Sequence, residues 1–183
     1  MKRVILIVID ALATRVVEPA IAEGKLPTFS RLVAAGQWRK RCTSIFPSIT
    51  PAATASIATG RYPAEHEIPG AFWYDDDHRR VAYYGDDFWV AINEGLGTFF
   101  HDFLIKLNYQ RLKSETVFER VERAGLSAGV INYMWFRGDV DQDVETPLLL
   151  KLLPGVKLRP RIRGPKMTAL GDFVRPTPAG ADG

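Results

Sequence analysis

Val4-Ile5-Leu6-Ile7-Val8-Ile9-Asp10 is the stretch on which the fold reading turns. Every aliphatic residue in it except Leu6 is β-branched, and no polar residue interrupts the run. A strand with one face in water alternates apolar and polar side chains, whereas a strand covered on both faces does not. The run therefore predicts a buried strand in a parallel sheet flanked by helices. Its length and its closing charge exclude the apolar core of a secretory signal peptide. An aspartate that ends such a strand stands at the carboxyl edge of the sheet, where open α/β folds place their ligands. Asp10 is thus a candidate metal ligand through its hard carboxylate oxygens. The competing reading is an aspartate that caps the next turn or helix.

Working outward, a helix is expected after Thr28 as N-cap, with Phe29, Leu32 and Val33 on one face and Gly36 as its stop. Trp38 to Ile45 reads as a second strand. It leads through Phe46-Pro47-Ser48-Ile49-Thr50-Pro51 into a short alanine-rich helix, Ala52 to Thr59, closed by Gly60. Phe72-Trp73-Tyr74 and Val81-Ala82-Tyr83-Tyr84 are the aromatic arms of a hairpin around the charged residues 75 to 80. One or two short helices are expected in 86 to 113. A helix follows Ser114 as cap, with Val117, Phe118 and Val121 on one face and Gly125 at its end. Ser127 to Phe136 reads as a strand.

Strand, helix, strand, helix, insertion, helix, strand is the order of an α/β fold with a mostly parallel sheet flanked by helices. The reading places one α/β domain in residues 1–147, with a small aromatic-rich insertion at about 71–113. Residues 148–183 form a basic tail rich in Pro and Gly, with a turn of helix at Leu148 to Leu153 and a disordered end from Arg175.

Composition narrows the function classes. The chain has 183 residues, 46% hydrophobic and 25% charged, which supports a packed core. A formal net charge of +3 does not by itself point to nucleic acid. The single cysteine, Cys42, excludes an internal disulfide framework and a cysteine metal cluster. No stretch approaches the roughly 18 to 20 apolar residues of a membrane span. Together these lead to the expectation of a cytoplasmic protein. The segment Lys157 to Lys166 is basic but lacks the aromatic interleaving of single-strand binders, so it reads as a solvated loop.

Thr50 is the second candidate site residue. Pro51 suits the first position of a helix, which puts Thr50 at or just before a helix N-terminus. Backbone N–H groups and the helix dipole favour an anion such as phosphate there. Thr50 is either a nucleophile activated at that spot or an ordinary helix N-cap.

The motifs in sequence bear on that choice. Val4 to Asp10, then Leu26-Pro27-Thr28-Phe29-Ser30-Arg31-Leu32, then Phe46-Pro47-Ser48-Ile49-Thr50-Pro51, then Ala58-Thr59-Gly60-Arg61-Tyr62-Pro63-Ala64-Glu65-His66 follow one another at close spacing. This order resembles the alkaline phosphatase superfamily, and within it the type I phosphodiesterase/nucleotide pyrophosphatase family. The resemblance is strong over residues 3 to 74. It implies an alkaline phosphatase-like fold and a phosphoester hydrolase with two divalent metal ions, Zn²⁺ in preference, acting on a small phosphoester. Asp10 becomes a ligand of one ion, and Thr50 becomes the nucleophile bound to that same ion. His66 takes a structural place in the turn after Gly60.

The chain also departs from the family pattern. Glu67 stands where glycine usually follows the histidine. Ala71 falls near a phosphate-binding asparagine of the nucleotide pyrophosphatases, which puts nucleotide specificity in doubt. The family's further Asp and His ligands lie well downstream, and none is convincing here. Asp77-His78 reads as a solvated hairpin tip, His101 as a core or interface residue, and Asp139, Asp141 and Asp143 as a surface loop. The expectation is an N-terminal portion of such an enzyme, with the sheet and metal site incomplete. The alternative is a non-catalytic phosphate- or partner-binding module that keeps the front half of the fold and uses the aromatic insertion as its contact surface.

Overall fold

Two helices organise the first 44 residues in the computed structural model, which describes residues 3–76, 79–83, 102–144 and 161–171. The chain divides into two units, Met1–Ser44 and Ile45–Gly183. In the first, α1 spans Thr14–Ala22 and α2 spans Pro27–Ala35. The sequence reading has no counterpart to α1, because Pro19 lies inside it and hides the helical pattern. Val17 is its buried residue. α2 begins at Pro27, with Leu26 rather than Thr28 at the N-cap, so the predicted start is two residues late. Proline lacks an N–H to satisfy and its φ suits the first helical turn, which moves the boundary upstream. Gly36 is the C-cap, as expected.

Val4–Ile9 does not form the expected strand. It is irregular, and its side chains lie in the open, from Val8 at 37% to Val4 at 90% exposed. Residues 38–45, expected as the second strand, are irregular as well. A strand exists only through its ladder partners, however strong the β-propensity of its residues. With no strand formed among the described residues of this unit, neither run has a ladder.

The second unit begins with α3 (Thr50–Thr59) and the single turn α4 (Pro63–His66). Next comes the hairpin β1 (Phe72–Asp75) and β2 (Arg80–Tyr83), paired in antiparallel register Phe72↔Tyr83 to Asp75↔Arg80, where the aromatic arms predict it. A π-helix covers Asp102–Arg111. The remainder of the expected aromatic insertion, 84–101, lies outside the described residues, as do the helical turn at Leu148 to Leu153 and the end of the tail.

α5 (Val117–Arg123) starts at Thr116 instead of Ser114. Thr116 Oγ1 accepts from the Glu119 N–H at 3.2 Å, and Glu119 Oε2 accepts from the Thr116 N–H at 2.7 Å. This reciprocal capping box satisfies two amides that a helix start leaves unpaired. The Ser114 hydroxyl is engaged elsewhere, donating to the Glu65 carbonyl.

β3 (Gly129–Ile131) pairs in parallel with β6 (Met167–Ala169), and β4 (Val140–Asp143) pairs antiparallel with β5 (Arg161–Gly164). The described residues thus form mixed helices and strands with a small parallel sheet, which fits an α/β fold; the larger parallel sheet is not among them. The strand expected over Ser127 to Phe136 stops at Ile131 because Asn132 takes a left-handed conformation, φ 49°. The chain then turns, and Tyr133 to Phe136 pack inward.

Asp141 and Asp143 lie in a strand rather than the expected surface loop, with Asp139 just before it, and Arg161 and Arg163 lie in its partner strand rather than a solvated loop. Arg161 pairs with Asp143 and Arg163 with Asp139, each at 3.1 Å, across β4 and β5. Gly138 permits this register. A Cβ there would press into the Gly164 and Pro165 backbone.

Two apolar clusters form the core of this unit. One gathers Ile105, Val130, Phe136, Ile162 and Leu170. The other gathers Ala55, Ala58, Ile68, Leu107, Leu112 and Trp135. The π-helix supplies Ile105 to the first and Leu107 to the second. Arg137 ties its end to α5, donating to the Asn108, Leu112 and Ser114 carbonyls at 2.5–3.0 Å and pairing with Glu119 at 3.0 Å. A cation suits the electronegative carbonyl end of a helix.

Candidate active site

Thr50 is the first residue of α3, and Ile49, in extended conformation, is the N-cap. Pro51 follows within the first turn. The helix start has no side-chain cap hydrogen bond, and Thr50 does not hold the N-cap position. The first turn carries no acidic side chain either. Its amides lack partners within the helix by geometry, which makes this end attractive to an anion. α3 is otherwise a helix of small residues packed tightly, with Ala52 and Ala55 fully buried. Gly60 closes it in the left-handed conformation, φ 66°.

One turn inside the helix, Thr54 is held by the segment that follows β3. Trp135 Nε1–H donates to Thr54 Oγ1 at 2.9 Å, and the Tyr133 hydroxyl donates to the Thr54 carbonyl at 2.8 Å. The Thr54 hydroxyl has one proton. Its shortest contact is the Thr50 carbonyl at 2.6 Å, shorter than those to the Met134 sulfur at 3.0 Å and the Pro51 carbonyl at 3.3 Å. Thr54 thus accepts from Trp135 and donates to Thr50. Burial raises the Tyr133 phenol well above its ordinary range, so it remains a neutral donor.

His66 holds the same helix from the side of α4. It is fully buried. Its Nδ1 accepts from the Ile68 N–H at 3.1 Å, so the proton resides on Nε2, which faces Ser56 Oγ at 3.0 Å. A serine beside a histidine suggests a nucleophile and its base, but in this tautomer Nε2 donates and cannot take the serine proton. Burial lowers the His66 pKa and keeps the ring neutral. The structural place expected for His66 is the one it has.

Asp10 lies in the first unit. It is exposed, and its Oδ1 accepts from the Ala11 N–H at 2.8 Å in a tight turn where Ala11 takes φ 55°. It does not cap α1, whose N-cap is Ala13. Asp77, His78 and His101 lie outside the described residues. Among the described residues, no group of three His, Cys, Asp or Glu comes together as a metal cage would require. The described side chains therefore do not fit a closed two-metal centre, whose ions each need three or four ligands.

The sequence reading missed the residues that fasten α3. Thr54 and Trp135 were read only as parts of a helix and a strand. Arg111 was also missed. It lies 3.9 Å from Asp75 and 5.5 Å from the centroid of the Trp73 ring, and both charged side chains are largely buried. Charge on a short aromatic hairpin was the available signal, but it equally describes a solvated tip.

α3 is thus a helix of small residues that starts at a threonine and is held by two buried clamps, one through Thr54 and one through His66, in an α/β frame. The sequence model of the type I phosphodiesterase / nucleotide pyrophosphatase family matches residues 4–174, and the chain belongs to that family. Enzymes of this family are generally metal-dependent. No curated protein and no solved structure matches the chain. Among the described residues, no helix is long and apolar enough to cross a membrane.

Proposed function

We propose that this protein is a phosphoester hydrolase of phosphodiesterase type in which Thr50 is the nucleophile. The observation that carries the reading is the position of Thr50 at the uncapped N-terminus of a buried helix. A phosphate docked there meets backbone N–H groups and the positive end of the helix dipole. Thr50 Oγ1 attacks phosphorus in line, the bond to the leaving alcohol breaks, and the threonine proton ends on the departing oxygen. Water then attacks the phosphorus of this threonyl phosphodiester, freeing the phosphate monoester that keeps the second alcohol and restoring the hydroxyl. The first-turn dipoles favour negative charge as it builds on the transferring group.

A threonine hydroxyl is a weak nucleophile without a base or a cation. Family membership supports a divalent ion in that capacity, Zn²⁺ in preference, with Asp10 and Thr50 as proposed ligands. Its remaining ligands are not supplied by the described residues. The substrate is a small phosphoester, and membership of the family is what supports this.

The test is hydrolysis of bis-p-nitrophenyl phosphate with Zn²⁺, Mn²⁺ or EDTA, beside Thr50→Ala. Metal-dependent turnover that falls more than about a thousandfold in the variant is expected, together with a threonine peptide carrying the p-nitrophenyl phosphoryl group, detectable by mass spectrometry. Unchanged turnover in Thr50→Ala would remove the assignment. A second reading, a binding module without turnover, is favoured by one observation. Phe72, Tyr74 and Val81 lie more than half exposed on the β1–β2 hairpin, as a contact surface would have them. Phosphate binding that persists in EDTA without any hydrolysis would select it.

A further inference from the structure

We propose that Thr54 and Trp135 are positioning residues for Thr50, joined by a hydrogen-bond relay from the indole through the Thr54 hydroxyl to the Thr50 carbonyl. The inference rests on the reading of Thr50 as nucleophile.

The geometry is directional. Trp135 is fully buried and Thr54 nearly so. The indole N–H can only donate, so Thr54 Oγ1 must accept from it, and the lone hydroxyl proton is turned toward Thr50. A threonine that bonds back to the carbonyl four residues earlier tends to bend a helix unless something fixes it. Here the indole fixes the oxygen from outside, and the Tyr133 hydroxyl fixes the Thr54 carbonyl. Thr50 is the residue whose backbone this relay holds. Its φ and ψ set where its Cβ and Oγ1 point. A helix start normally frays, and a nucleophile there needs a restraint from tertiary structure. Valine at position 54 would pack as well as threonine but break the relay, and serine would keep it.

The experiment measures Thr50 itself. Side-chain χ1 couplings of the selectively labelled Thr50 methyl are recorded by NMR in the wild type, Thr54→Val, Thr54→Ser, and the double variant Thr54→Val with Trp135→Phe. The double variant removes donor and acceptor together and leaves no buried orphan, so it keeps the test open if Thr54→Val fails to fold. The proposal expects a single Thr50 rotamer in the wild type and in Thr54→Ser. It expects averaged couplings in the two variants that lack the hydroxyl. In bis-p-nitrophenyl phosphate hydrolysis those two variants should lose about tenfold or more in kcat, with KM within about twofold. A single, unchanged Thr50 rotamer in folded Thr54→Val overturns the proposal, because the bond then serves only the fold. Turnover that survives Thr50→Ala overturns its catalytic half, and the couplings distinguish that failure from failure of the relay.

Discussion

The two units treat apolar sequence in opposite ways. In the first, Val4 to Ile9 is the most continuous aliphatic run of the chain, yet it is exposed; Val17 is the buried hydrophobic residue there. In the second, the side chains of Trp135, Phe136, Leu107 and Ile68 come from short and unpromising segments, yet each is almost completely buried. The difference is one of partners. A helix satisfies its own backbone and needs only a surface to lie against, whereas a strand needs another strand. Apolar content predicts the need for burial, not whether the burial is met.

The largest effect that bears on this comparison is expected at Trp135. Trp135→Ala should cost about 3–5 kcal/mol in urea unfolding, because it empties the centre of one cluster and removes the donor to Thr54. A loss below about 1 kcal/mol would mean that the second unit is no better packed than the first.

His66 gives a pH-dependent form of the same test. Its folded pKa lies below the ordinary 6.5 that applies to the unfolded chain. Between those two values the unfolded state binds more protons, so stability falls as pH drops through 6.5 and levels off below the folded pKa. His66→Gln should flatten that part of the curve. The other two histidines, His78 and His101, are present in both proteins, so the difference between the curves isolates His66. Parallel curves for the two proteins would place His66 in contact with water.

Glu67→Gly should raise stability by about 1 kcal/mol in the same unfolding assay. Glu67 sits just past α4 with φ 59°, the left-handed region in which glycine carries no Cβ penalty. This gives a physical reason for the glycine that usually follows the histidine in the family. A destabilised Glu67→Gly would show that the carboxylate contributes more than its backbone strain costs.

The smallest effect sharpens the comparison from the other side. Ile5→Ala, at 85% exposure, should change stability by less than about 0.5 kcal/mol. A loss of roughly 2 kcal/mol or more would mean that the run is buried within a sheet, as its sequence predicts.

Local chemistry made much of the second unit legible. Gly60 ends α3 because a left-handed residue closes a helix without steric cost, and Gly125 marks the end of α5 with φ 76° for the same reason. The aromatic arms of β1 and β2 announce a hairpin through β-propensity on either side of a polar tip. The family is legible from the spacing of four short motifs, and its sequence model covers nearly the whole chain. Thr50 as a residue at a helix start follows from Pro51. That it is not the N-cap follows only once Ile49 is seen to hold that position.

Asp139, Asp143, Arg161 and Arg163 mark the limit of such reading. Their pairing joins segments about twenty residues apart, and no local pattern states which acid meets which base. The Trp135–Thr54 bond spans 81 residues and is as silent in the sequence. The sequence alone determined the glycine-marked ends of α2, α3 and α5, the hairpin and the family, because each depends on neighbours along the chain or on motif order. Only the tertiary structure decided which apolar residues are buried, which charges pair and what holds α3 in place, because burial, pairing and restraint depend on groups that meet only after folding.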